Sequence, residues 1–190
     1  MKPDTLARRL GTTAHLSPLL MKARRLGLRV PEDLEQMAVL RGCRYYAGMG
    51  DATVVREESS TTKGAVLDAP LLSNEELAVA LLAMSLPYSQ HRLRIGAAML
   101  AAEGNVPSRL ARLARLESCE AVMRHIALCG RKVEPENVFW DELLRLLPEL
   151  PMPEADTLPH LTRFVAMTGY TRRGRETIMQ WIRPTRPAAA

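Results

Sequence analysis

The sequence predicts a mainly α-helical chain, either a multi-helix bundle or a short α-solenoid-like body, with a short β-prone or irregular segment near residues 43–70. Three observations carry this reading. Helix-start signals recur along the chain, apolar residues between them repeat at helical spacing, and β-prone runs gather in one stretch.

The starts come first. Proline lacks the N–H that a first helical turn leaves unbonded, so Pro31 followed by Glu32 and Asp33, and Pro135 followed by Glu136, each read as a helix opening with negative charge at the positive dipole end. Ser73 with Glu76 reads as a capping box ahead of the apolar run Leu77, Ala80, Leu81 and Met84. These signals predict helices near 4–11, 15–26, 31–41, 74–86, 89–103, 107–117, 118–130, 136–147, 157–168 and 174–183. Between the third and fourth, CRYYAGM, ATVVREE and KGAVLD are β-prone runs separated by Gly48, Gly50 and the polar stretch 59–62. A hairpin or ordered linker is expected there. The endings of Ala101–Pro107 and Leu128–Pro135 resemble each other, which is the one hint of a repeat near 26–28 residues.

The same punctuation divides the chain. We expect a small basic helical piece over 1–42, a linker over 43–72, a main helical domain over 73–183 and a frayed tail over 184–190. Within the third part, PELPMPEADTLP at 148–159 holds four prolines in twelve residues and favours extended backbone.

Composition bounds the function. The chain has 190 residues, 47% hydrophobic and 25% charged, inside the globular range and large enough for a core without disulfides or metals. The uncharged run Leu77–His91 is interrupted by Pro87 and is too short for a membrane span, and the charges Lys2, Asp4, Arg8 and Arg9 precede any apolar run, the wrong order for a signal peptide. A cytoplasmic protein with no membrane partner is expected. The three cysteines Cys43, Cys119 and Cys129 cannot all pair and are expected to be reduced. The net charge of +5 is concentrated at the two ends, and 22 of the 26 basic residues are arginine.

No motif commits the chain to a reaction: GxSxG, P-loop, GxGxxG and HExxH are all missing from the sequence. No catalytic residue, metal site or cofactor is therefore assigned. The expected function is a non-enzymatic binding or adaptor module for a protein partner. Phe139 and Trp140 are its candidate contact residues, because neighbours on a helix point about 100° apart and cannot both face inward. The alternative is a nucleic-acid-binding regulator with a degenerate helix-turn-helix in residues 5–29 and an adjoining wing in 43–70. It would use Lys22, Arg24, Arg25 and Arg29, helped by Arg172, Arg173 and Arg175 near the C-terminus. Its fit is partial, since Ser17 stands where an apolar residue belongs. An enzyme whose site is assembled from distant residues is the third reading. His125 and Cys129 share a helical face and could chelate only with help from His91 or His160, while Glu117 with Glu120, and Asp141 with Arg145, read as solvated faces.

Overall fold

A computed structural model describes residues 4–43, 71–154, 156–168 and 178–185. It is mainly helical, with eight α-helices and a two-stranded sheet among those residues. In chain order the helices are α1 (Leu6–Arg9), α2 (Pro18–Arg25), α3 (Glu32–Leu40), α4 (Asn74–Leu81), α5 (Gln90–Leu100), α6 (Pro107–Glu117), α7 (Glu120–Val133) and α8 (Val138–Leu146). A 3₁₀ turn at Leu161–Arg163 then leads into the antiparallel strands β1 (Val165–Thr168) and β2 (Ile178–Trp181).

Local chemistry accounts for the starts. Pro18 and Pro107 occupy the first turns of α2 and α6, and the Ser17 side chain accepts from the Leu20 amide. At α4 the capping box is complete, with the Glu76 amide donating to Ser73 Oγ and the Ser73 amide donating to Glu76 Oε2. Ser89 and Asn137 cap α5 and α8 more simply, each side chain accepting one amide, from Arg92 and from Phe139.

Helix α4 is the centre of the molecule. Leu77, Ala78, Val79, Ala80 and Leu81 are all buried, so from Leu77 onward this helix is apolar around its whole circumference, as expected of one enclosed by others. It packs on α5, α6, α3 and α2. Small residues set the closest spacing: a Cβ added at Gly96 of α5 would lie 2.7 Å from Leu82. Polar fastenings bind α3 to the same centre. Arg92 is buried on α5 and donates through Nε to Glu35 of α3 at 3.0 Å and through Nη1 to the Pro87 carbonyl at 2.7 Å. Leu6, Leu20 and Leu34 of the N-terminal helices belong to the same apolar cluster as α4 to α8.

Two expected elements are corrected. Where the sequence predicts helices at 157–168 and 174–183, the described residues form the 3₁₀ turn and a β-ladder pairing Val165 with Trp181 and Thr168 with Ile178. Val165, Thr168 and Ile178 are β-branched, and the pairing turns Val165 and Trp181 together into the core, where long-range contact overrides weak helical propensity. The β-prone runs read at 43–70 lie outside the described residues apart from Cys43, which is buried. Helices α1 and α4 are shorter than expected, because the chain turns at Leu10 and at Leu82.

The hairpin is held by an aromatic seam. The Trp181 ring lies 4.9 Å from that of Trp140 on α8 and 5.4 Å from Phe164, while its indole N–H donates to the Ala97 carbonyl. Glu134 fastens the seam from outside. Its carboxylate accepts from Trp140 Nε1 at 2.9 Å, Asn137 Nδ2 at 2.9 Å and both Nη atoms of Arg183 at 2.5 Å. Burial alone would raise the pKa of Glu134, but these donors outweigh it and hold the group at about 2 against an ordinary 4.5.

Two outcomes follow from the seam. A Cβ at Gly130 would stand 2.4 Å from the buried Trp140 ring, so Gly130→Ala should destabilise the fold by about 1–3 kcal/mol in urea unfolding. Because Glu134 is depressed, its contribution is complete above its unfolded value and lost on acidification; stability should fall between pH 4.5 and about 2. Glu134→Gln should be less stable at neutral pH and should flatten that decline.

Candidate functional site

The basic residues expected to read nucleic acid separate into two kinds. Lys22 is neutralised, with Nζ 2.7 Å from Glu76 Oε1. Burial raises Glu76, but the Lys22 contact, the Ser73 amide and the nearby charge of Arg109 prevail and hold it below its ordinary value. Arg29 is neutralised too, donating through Nη2 and Nε to Asp33 at 2.9 and 3.2 Å while its own amide caps the same carboxylate. Arg24 and Arg25 are exposed on α2, and neither side chain has a partner among the described residues. Arg172, Arg173 and Arg175 lie outside the described residues.

The geometry departs from a helix-turn-helix. Helix α1 is a single turn, held by amide bonds from Leu6 and Ala7 to the carbonyls of Leu86 and Met84. Residues 10–17 then connect it to α2, a longer link than the three or four residues of that motif. The N-terminus of α2 is also already occupied by an anion. Glu117, at the end of α6, accepts from the Leu19 amide at 2.7 Å and from the Ser17 hydroxyl. A phosphate has no place there.

Glu117 corrects an expectation, since it is no solvated carboxylate but only 4% exposed. Its position shows why: Leu110, Leu113 and Ala114 are the buried stripe of α6, and Glu117 continues that stripe one turn on. Oε2 is buried with no hydrogen-bond partner, and burial outweighs the Ser17 and Leu19 contacts to push the group above its ordinary value. What this contact does is pin α2 against α6. Leu16 and Leu116 each stand next in sequence to a residue of the contact, and they are 76% and 55% exposed. Arg109 and Arg112 are exposed along the same helix α6. The sequence reading passed over Leu16 and Leu116, because helical spacing alone does not separate an apolar side chain that packs from one that is left outside.

The other sequence candidates take structural roles. Trp140 is fully buried in the seam and is withdrawn as a contact residue, while Phe139 is half-buried against it with ring centroids 5.0 Å apart. His125 Nε2 lies 2.9 Å from the Pro159 carbonyl and 3.8 Å from Cys129 Sγ. A carbonyl can only accept, so Nε2 carries the proton and cannot serve as a base toward the thiol. Burial pushes that thiol up to about 11, and Cys43 up to about 12, so neither is a ready nucleophile. Asp141 contacts Arg131 at 3.7 Å, in place of the pairing with Arg145 that the sequence spacing implied.

Among the described residues no group of three or more His, Cys, Asp or Glu side chains could hold a metal ion, and no helix is long and apolar enough to cross a membrane. A cleft lined by Leu6, Leu86, Pro87, Ser89, Arg92 and Leu93 has room for about one water molecule. No known family, curated protein or solved structure matches the chain.

The Glu117 contact is open to titration. A carboxylate raised in the folded state adds stability below its unfolded value and loses it as pH climbs through the folded one. Wild-type stability should therefore gain from this group as pH drops from neutral toward 4.5. Glu117→Gln, which keeps an acceptor for the Leu19 amide, should lack that gain in thermal melts. Glu117→Ala leaves the amide unpaired and should lose about 1–3 kcal/mol at every pH.

Proposed function

We propose that the chain is a binding module without chemistry of its own, an adaptor that takes an acidic, amphipathic segment of a partner protein where α2 meets α6. The observation that supports this most directly is the exposure of Leu16 and Leu116 beside the buried Glu117 contact. Large apolar side chains left in solvent at a fixed, polar-pinned junction suit a protein contact. Arg24, Arg25, Arg109 and Arg112, carried by the same two helices, favour acidic residues in the partner, steering its approach and setting specificity.

Nucleic-acid binding is the second reading. Arg24 and Arg25 favour it because neither is neutralised by a partner among the described residues. Each phosphate contact would release condensed counterions and make affinity fall steeply with salt.

One pair of experiments separates the readings. The immobilised chain should retain an acidic protein from extract that Leu16→Asp with Leu116→Asp loses, and the interaction should be reproduced with both components purified. Fluorescence anisotropy with labelled duplex DNA, single-stranded DNA and RNA should show no binding that survives near-physiological salt. Salt-resistant nucleic-acid binding abolished by Arg24→Glu with Arg25→Glu would replace the adaptor reading with the second one.

A further inference from the structure

We propose that residues 147–153 form a ready-made polyproline II ligand, presented to a partner domain whose groove is lined with aromatic side chains. The inference stands apart from the α2–α6 junction. Its basis begins in the sequence LPELPMP, in which Pro148, Pro151 and Pro153 have φ fixed by their rings, and Leu147, Leu150 and Met152 precede a proline and are pushed toward extended backbone. Six of the seven residues are constrained, with Glu149 alone left over.

The structure agrees with that constraint. Leu147 has φ −88° and ψ 146°, close to polyproline II values. Among the described residues no hydrogen bond reaches the backbone of 148–153, as expected of a conformation without internal pairing.

The repeat of this helix is three residues. Leu147, Leu150 and Pro153 share its first edge, which is buried at Leu147, 38% exposed at Leu150 and half-buried at Pro153, so the segment meets the body at its two ends. Pro148 and Pro151 form a second edge, about 9 Å apart at 3.1 Å per residue, and both are exposed. Glu149 and Met152 form the third, with Met152 59% exposed.

Both ends are tied down. The Leu147 amide donates to Leu143, the Arg115 guanidinium donates to the Leu146 carbonyl, and the Glu154 carbonyl accepts from Thr157 ahead of the buried Leu158. A ligand held extended by its own chain loses little freedom on binding, which is the basis of recognition by proline-binding grooves. The outward carboxylate of Glu149 fits a groove with a cationic residue at its border.

The test titrates the full chain into a set of purified proline-binding domains of the SH3, WW and EVH1 kinds, followed by the fluorescence of the groove tryptophan where the domain has one and by calorimetry otherwise. Binding by at least one domain is expected. Pro148→Ala with Pro151→Ala should weaken it about tenfold or more, with an unchanged thermal melt. Glu149→Lys and Met152→Ala, which alter only outward side chains, should each weaken it as well, and Leu16→Asp with Leu116→Asp should leave it unchanged. The proposal is overturned if no domain binds at up to about 1 mM, or if binding is indifferent to these strap variants.

Discussion

The contact on which the C-terminal third depends is the closure of Trp140 onto Gly130. The added-Cβ distance of 2.4 Å shows that the indole occupies the volume any other residue would need, so α7 and α8 can approach this closely only at a glycine. That approach presents the ring of Trp140 to Trp181, and Trp181 brings β2 and Phe164 with it. Glu134 then joins three donors from α8 and the segment after β2 at one carboxylate. Without the notch at Gly130, these partners would have no common surface.

The N-terminal part is organised by a different principle. Its helices are too short to be stable alone, since isolated helices below about 12–15 residues are marginal in water. Each is held instead by contacts to the central body: α1 through amides to the 84–86 turn, α2 through Glu117, and α3 through Glu35 to Arg92. Polar groups reaching across from the body therefore do much of the positioning. That leaves the outward faces of α2 unconstrained by packing and available for contact.

Legibility in the sequence tracks the range of the interactions. The capping box at Ser73 and the helix opening at 107 act within one helical turn and are readable directly, whereas the helix read from residue 15 begins only at Pro18. The hairpin is not readable locally, because what makes residues 178–181 a strand is the burial of Trp181 against Trp140 and Ala97, 41 and 84 positions earlier. The candidate site divides the same way. Arg29 with Asp33 has the four-residue spacing of a helical ion pair and could be recognised from sequence, whereas Lys22 finds Glu76 across 54 positions. Glu117 was legible in principle, since it continues the stripe of Leu110 and Ala114, but a carboxylate on an apolar stripe acquires meaning only once the Leu19 amide is known to face it.

The two tryptophans are the only ones in the chain, and both rings lie in the same seam with centroids 4.9 Å apart. Chromophores so close share their excitation, and both are shielded from water. Undocking of the hairpin would separate the rings and admit solvent to each. The molecule thus carries an intrinsic optical report on the attachment of its C-terminal strands, independent of any label.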